Sequence, residues 1–101
     1  MQLNGIEMAV DEHGSRGRPV VVLLHGFPEL GFSWRHQVGP LADAGYHVLV
    51  PDLRGFGGSH APPDPEAYAI DVLARDVLGL IDHAGAETAI VVGHDWGADL
   101  A

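Results

Sequence analysis

The stretch Ala89-Ile90-Val91-Val92-Gly93-His94-Asp95-Trp96-Gly97-Ala98 decides the fold of this chain. Its first half is a short apolar run rich in β-branched residues, and its second half is Gly-x-Asp-x-Gly followed by small residues. This pattern predicts a buried parallel strand that turns sharply into a helix. The two flanking glycines allow the tight, strained turn that lifts the Asp95 carboxylate clear of the sheet.

Asp95 is the candidate nucleophile at this turn. A carboxylate is already ionised near pH 7, so it attacks a strained or activated carbon without the help of a base. The product of that attack is an alkyl ester on the protein. The alternative is that Asp95 only caps the helix behind it, since aspartate is a favoured N-cap residue. The five-residue motif favours the nucleophile, and the rest of the chain strengthens that interpretation.

The composition is typical of a soluble globular domain and excludes several classes of site. The chain has 101 residues and a formal net charge of −9, which argues against nucleic acid and anionic membranes as partners. It has no cysteine, which excludes disulfides, thiolate nucleophiles and zinc–thiolate sites. Its seven histidines show no spacing typical of a metal site. We therefore expect neither a metal nor a cofactor.

The sequence also bears on the cellular location of the protein. The amino terminus has neither a basic leader nor a long apolar stretch. No apolar run approaches the ~18–20 residues that a membrane-spanning helix needs. We expect a cytoplasmic protein without a membrane partner.

Strands alternate with helices along the chain, which predicts an α/β fold with a mostly parallel sheet flanked by helices. No internal boundary is visible, so residues 1–101 are expected to form one portion of a single domain. The expected elements are a hairpin or edge strand around Asn4-Gly5, strands 20–24, 47–50 and 88–92, and helices from Trp34 and from Tyr68.

Four local features refine the two helices. Ser33 is expected to cap the first, and Gly39-Pro40 to bend or restart it. In the second, an apolar stripe faces the core and an ion pair joins Asp71 to Arg75 on the wet face. The stripe consists of Ile70, Leu73, Val77 and Leu80 with Ile81.

Three loops follow the carboxyl ends of the predicted strands, where sites form in open α/β sheets. The first opens with His25, the second opens with Asp52, and the third is the turn that carries Asp95. The backbone amides of Phe27 and Trp96 would be two donors aimed at an oxyanion. The His25 side chain is interpreted as a buttress of its loop. Asp52 is expected to pair with Arg54 or to cap its own loop, and not to be the nucleophile.

Four motifs in this order resemble the amino-terminal part of an α/β-hydrolase, and within that superfamily an epoxide hydrolase. The resemblance covers essentially the whole chain, and four ordered motifs are far more specific than any one of them. The motifs are His25-Gly26-Phe27-Pro28-Glu29, Ser33-Trp34-Arg35-His36-Gln37, Asp52-Leu53-Arg54-Gly55-Phe56-Gly57-Gly58-Ser59 and Gly93-His94-Asp95-Trp96-Gly97.

The resemblance implies a role for each motif. Asp95 would open a small-molecule epoxide to a covalent ester, and the amides of Phe27 and Trp96 would hold the oxyanion as water releases a vicinal diol. Phe27, Pro28 and Trp96 would line the substrate pocket, with Pro28 after a cis peptide bond. The structural residues of the motifs would be His25, Gly26, Gly93, His94 and Gly97.

Two alternatives remain at this point. Haloalkane dehalogenases of the same fold share the aspartate and the tryptophan after it, but they typically have asparagine where Phe27 stands. Phe27 cannot donate the side-chain hydrogen bond that helps to hold a departing halide. An alternative of another class is a truncated, non-catalytic α/β fragment that binds a partner.

The sequence departs from the family pattern after the nucleophile. In this fold the charge-relay histidine and the second acid follow the nucleophile in chain order. Only six residues follow Asp95, and none is a histidine. The family's cap-domain tyrosines are also absent. We expect the chain alone to be inactive.

The family's strand order, 1-2-4-3-5 for the strands present, would leave strand 88–92 as an open edge. The chain is therefore expected to need the missing carboxy-terminal half, or a partner at that edge.

Overall fold

The computed structural model describes residues 1–26 and 30–94, together with Gly97 and Leu100. Its elements are the strands β1 (Gln2–Leu3), β2 (Ile6–Glu7), β3 (Val10–His13), β4 (Val20–Leu24), β5 (His47–Pro51) and β6 (Ala89–Gly93), the helices α1 (Arg35–Asp43) and α2 (Ile70–His83), and 3₁₀ turns at Gly31–Trp34 and Pro65–Tyr68.

A four-stranded sheet in the order β3-β5-β4-β6 forms the centre of the fold. β4 pairs in parallel with β5 on one side and with β6 on the other, whereas β3 is antiparallel to β5. Parallel neighbours need crossover connections, and α1 and α2 are those connections. The expected α/β architecture with a mostly parallel sheet is confirmed.

β4 is buried on both faces, as its unbroken aliphatic sequence predicts. Alternate residues point to opposite faces of a strand, so β4 contributes to two separate cores. Val21 and Leu23 pack with Val38 of α1. On the other face, Val20, Val22 and Leu24 pack with α2 residues such as Leu80. The sheet is thus the middle layer between the two helices.

The first two strands form a hairpin of their own and not part of the main sheet. Asn4 and Gly5 both have positive φ, at 46° and 80°, as a two-residue type I′ turn requires. The expected hairpin is confirmed. The expected order of the other strands, 2-4-3-5 in the family's numbering, corresponds to β3-β5-β4-β6 here and is also confirmed. The expected pairing of a first strand with the main sheet is wrong, since β1 and β2 pair only with each other among the described strands.

Three local expectations need correction. Ser33 is not the N-cap of α1, because a 3₁₀ turn precedes the helix and the cap is Trp34, without a side-chain bond. Pro40 lies inside a continuous α1, so the helix does not restart there. Ile70 is 53% exposed, because it is the first residue of α2 and lies beyond the part of the helix that covers the sheet.

α2 also confirms most of its predicted pattern. Leu73, Val77 and Leu80 are buried, and Asp71 pairs with Arg75 at 3.6 Å on the exposed face. Neither α1 nor α2, the helices of the described ranges, has the length and apolar character that crossing a bilayer requires.

A buried ion pair joins α2 to the loop that follows β5. Arg54 and Asp76 are 5% and 1% exposed, and two hydrogen bonds of 2.9 and 2.8 Å join the guanidinium to the carboxylate. Asn4 of the first hairpin donates to the same carboxylate at 2.7 Å, and its carbonyl accepts from Arg54. Two fixed parallel hydrogen bonds are the strong geometry for such a pair. Three segments distant in sequence therefore meet at one charged cluster.

β6 is an edge strand among the described residues, and one of its faces is bare. Ile90 and Val92 are 51% and 38% exposed. Their sheet neighbours Val21 and Leu23 are buried under α1, which does not extend over β6. The open edge expected from the sequence is therefore present, with an apolar face beside it.

We predict that Asp76→Ala lowers the free energy of unfolding by about 3–5 kcal/mol, because it leaves the Arg54 charge buried without a partner. Asp71→Ala on the exposed face of the same helix removes only a surface pair and should cost less than about 1 kcal/mol. Urea unfolding of both variants followed by circular dichroism measures the difference. Equal losses in the two variants would contradict the structural importance of the buried pair.

Candidate functional site

The carboxyl ends of β4, β5 and β6 lie at one edge of the sheet. The parallel register pairs Leu24 with Gly93, so His25 and His94 leave adjacent strands side by side. Asp52 directly follows β5, on the other side of β4. The structure therefore brings together the three loops that the sequence singled out.

Both ring nitrogens of His25 are engaged in hydrogen bonds. The Leu53 amide donates to Nε2 at 2.8 Å, and Nδ1 lies 3.0 Å from the Gly26 carbonyl oxygen. Because Nε2 accepts, the proton of the neutral ring is on Nδ1 and is donated to Gly26. The buried ring also packs edge-on against Phe56, with 5.1 Å between ring centroids. The neutral ring of His25 therefore has no nitrogen left to act as a base, and its role as a loop buttress stays a prediction.

The Asp52 carboxylate accepts two backbone hydrogen bonds. Gly31 donates to Oδ1 at 2.9 Å and Gly58 donates to Oδ2 at 3.2 Å. The expectation that Asp52 caps its own loop is confirmed by the Gly58 bond. The alternative of a pair with Arg54 is wrong, because the Arg54 guanidinium binds Asp76 instead.

The turn after β6 is held against the end of β4. The His94 amide donates to the Leu24 carbonyl oxygen at 3.2 Å, and the Gly97 amide donates to the His94 carbonyl oxygen at 3.0 Å. Gly97 is buried, and a Cβ there would collide with the carbonyl of Leu24 and lie 2.7 Å from that of His25. Because backbone atoms cannot move aside as a side chain can, only glycine fits. The close approach of the backbone at this position therefore requires a residue without a Cβ.

The residues expected to do the chemistry lie outside the described part of the chain. They are Asp95 as the nucleophile, Phe27 and Trp96 as oxyanion donors, and Phe27, Pro28 and Trp96 as pocket lining. Those roles stay predictions. Close to them in the sequence, Gly26 is buried and Gly93 ends β6.

A shallow cavity of about 230 Å³ lies beside this edge, on the α1 side of the sheet. Its described lining is His25, Ser33, Trp34, Gln37 and His94. The Trp34 Nε1 atom is buried and has no hydrogen-bond partner among the described residues. His94 thus faces α1, on the same side of the sheet as Ile90 and Val92.

The main feature that sequence reasoning missed is the Arg54–Asp76 pair beneath the loop after β5. Hydrogen bonding to Asp76 raises the pKa of the Arg54 guanidinium above its ordinary value, and the opposing effect of burial is smaller. One signal was available: Asp76 lies at helical spacing among Leu73, Val77 and Leu80, on the buried face of α2. An acid on an apolar face requires a buried partner.

Within residues 1–26 and 30–94, no group of three or more acidic or histidine side chains is placed to hold a metal ion.

Residues 19–101 match the alpha/beta hydrolase fold family. Epoxide hydrolase A of Mycobacterium tuberculosis is 61% identical over 95 residues, which are 94% of this chain and 30% of that protein. Epoxide hydrolase 2 of Siraitia grosvenorii is 50% identical over 98 residues, 97% of this chain and 30% of that protein. The chain therefore spans about 30% of the length of these relatives.

Solved structures give the same comparison in three dimensions. The crystal structure of epoxide hydrolase A from Mycobacterium thermoresistibile superposes with a TM-score of 0.97 and 56% sequence identity, covering 99% of this chain and 31% of that one. Epoxide hydrolase VrEH1 from Vigna radiata superposes with a TM-score of 0.93 and 47% identity, covering 99% of this chain and 30% of that one.

We predict that Gly97→Ala lowers the free energy of unfolding by about 1–3 kcal/mol, because the added methyl group meets rigid backbone. Gly79→Ala in α2 is the matched control, since its Cβ would meet the Leu3 side chain at ordinary contact distances of 3.4–3.9 Å. It should be neutral or should stabilise the helix by up to about 1 kcal/mol. Urea unfolding measures the free energy of unfolding of both variants. An unchanged value in Gly97→Ala would contradict the close approach.

Proposed function

Since the chain belongs to the alpha/beta hydrolase fold family, we propose that it forms the amino-terminal part of an epoxide hydrolase. The observation that carries the proposal is the 61% identity to a named epoxide hydrolase over 95 residues, which are 94% of this chain. The superposition with epoxide hydrolase structures and the turn held at His94 and Gly97 support it.

The first chemical step is ring opening by Asp95. A carboxylate oxygen attacks one epoxide carbon, the strained bond between that carbon and the ring oxygen breaks, and the oxygen leaves as an alkoxide that takes up a proton. The nucleophile needs no base, because an aspartate is ionised near pH 7. The product is a hydroxyalkyl ester on Asp95.

The second step is hydrolysis of that ester. Water attacks the ester carbonyl carbon, and the resulting oxyanion is held by the amides of Phe27 and Trp96. Collapse of this intermediate releases a vicinal diol and restores the Asp95 carboxylate. A base must take the proton of the attacking water. His25 is already bonded at both nitrogens, so we propose that the base lies in the part of the enzyme beyond these 101 residues.

The same larger enzyme is our proposed partner for the bare face of β6. Ile90 and Val92 are too exposed for aliphatic residues of a central strand, and another β-strand can extend an open parallel edge. We propose that the carboxy-terminal portion covers this face and edge. A cytoplasmic location remains a prediction, which cell fractionation would test.

We predict that an excess of styrene oxide adds one epoxide mass to the isolated chain, at Asp95. Without a base, the ester should persist and no diol should accumulate. Intact-mass and tandem mass spectrometry measure the adduct and its position. Asp95→Asn should abolish it, whereas Asp64→Asn at an exposed position should leave it unchanged. An equal adduct in the Asp95 variant would remove the nucleophile from the proposal.

We predict that the isolated chain self-associates through β6. The double variant Ile90→Thr with Val92→Thr keeps β-branched residues but removes apolar surface, and it should weaken association at least about tenfold, or about 1.4 kcal/mol. Leu78→Thr, at an exposed position on α2, is the matched control and should have little effect. Sedimentation velocity measures the association. A monomeric wild-type chain would contradict the proposed need for a covering segment.

A further inference from the structure

The residues on both sides of segment 27–29 are bonded to two consecutive residues of the loop after β5. Before the segment, His25 Nε2 accepts from the Leu53 amide at 2.8 Å. After it, the Gly31 amide donates to Asp52 Oδ1 at 2.9 Å. The described residues His25 and Gly31 are therefore both tied to the same short stretch of the loop after β5.

Asp52 is itself firmly held, so it can act as an anchor. Its second carboxylate oxygen accepts from the Gly58 amide at 3.2 Å, and its own amide donates to the Ala9 carbonyl oxygen at 2.9 Å. The Ser59 hydroxyl donates to the Asp52 carbonyl oxygen and accepts from the Ala9 amide. Asp52 is therefore tied to its own loop through its carboxylate and to the segment that precedes β3 through its backbone.

The sequence around Asp52 fits this arrangement. A Cβ at Gly31 would lie 3.1 Å from a Val50 methyl group, 3.2 Å from the Pro51 carbonyl oxygen and 3.3 Å from Asp52 Oδ1. A Cβ at Gly57 would collide with Asp52 Oδ2. Glycine at both positions lets the backbone come close to the carboxylate.

We propose that Asp52 is a positioning residue for the oxyanion-binding amide of Phe27. The proposal rests on the proposed function, since that function gives the Phe27 amide its task. Oxyanion donors are effective only when their position is fixed before the charge develops. Aspartate is suited to the anchor because both of its oxygens accept charge-assisted bonds from backbone amides. Asparagine offers one accepting oxygen, and its amino group cannot accept from either glycine.

Simple charge repulsion predicts the opposite effect on ester hydrolysis. A negative Asp52 acting only through its charge would disfavour an oxyanion, so Asp52→Asn would speed ester hydrolysis. As an anchor, Asp52 favours ester hydrolysis, so the same variant would slow it. Asp52→Glu separates charge from position further, because it keeps the charge and displaces the carboxylate by one methylene group.

The kinetic test uses a chimeric enzyme in which residues 1–101 replace the matching segment of Mycobacterium tuberculosis epoxide hydrolase A. Rapid quenching and intact-mass measurement with styrene oxide follow the formation and decay of the Asp95 ester. We expect Asp52→Asn and Asp52→Glu to slow ester decay about tenfold or more, against the 10²–10³ of losing an oxyanion donor outright. Ester formation should change less than twofold, and exposed Asp64→Asn should change neither step.

Slower ester decay has a distinct effect on the steady-state kinetic constants. Because kcat/KM reports the steps up to ester formation, kcat and KM should fall together in the Asp52 variants while their ratio stays constant. A merely structural defect would instead lower kcat/KM with no accumulated ester. That result, or ester decay at the wild-type rate, overturns the proposal.

A second measurement, on the isolated chain, tests the bond between Asp52 and Gly31 separately from epoxide hydrolysis. Amide hydrogen exchange at Gly31 should speed up at least about tenfold in Asp52→Ala but not in Asp64→Ala, since only the former removes both acceptor oxygens of the carboxylate. Unchanged exchange at Gly31 overturns the anchor whatever the chimera does. If exchange at Gly31 speeds up but the wild-type chimera hydrolyses no epoxide, Asp52 holds Gly31 only as a structural contact. The proposed function and the positioning role of Asp52 in catalysis are then both wrong.

Discussion

The parallel hydrogen bonding of β4 to two neighbours is the constraint on which the rest of the structure depends. β4 lies between β5 and β6, and the register that pairs Leu24 with Gly93 makes β4 and β6 end at the same level. Three loops therefore leave one edge of the sheet within reach of each other. The antiparallel β3 lies at the far side of β5, and its amino-terminal end at Val10 lies beside Pro51 at this same edge.

Close approach of the backbone then limits which residues each loop can have at its contact points. Gly97 meets the carbonyls at the end of β4, and Gly31 meets the last residues of β5 and the Asp52 carboxylate. A methyl group at Gly97 would collide with rigid backbone, whereas one at Gly31 would press on its neighbours by a few tenths of an ångström. His25 and Asp52 supply the side-chain acceptors that join these loops. The charged Arg54–Asp76 pair holds the loop after β5 to α2 from beneath.

Local sequence patterns predicted the features that depend on local physics. The aliphatic run 20–24, the Asn4-Gly5 turn and the stripe Leu73, Val77 and Leu80 each report a periodicity or a backbone preference. The elbow glycines were predicted from the tight turn of their motif, and the close approach at Gly97 is a reason for glycine that the sequence did not reveal. Features that depend on distant contacts were missed. Arg54 finds Asp76 and Asn4 across 22 and 50 residues of sequence, and local charge spacing had suggested Asp52 instead.

The central claim is that the Asp95 carboxylate, and not water, first attacks the epoxide. A single turnover of the chimeric enzyme in ¹⁸O-labelled water tests it most directly. A covalent ester gives the diol its new oxygen from Asp95 and leaves the label in the carboxylate. We therefore expect an unlabelled first diol and one ¹⁸O in the peptide that contains Asp95. Label in the first diol with an unlabelled Asp95 would show direct attack by water and would contradict the account.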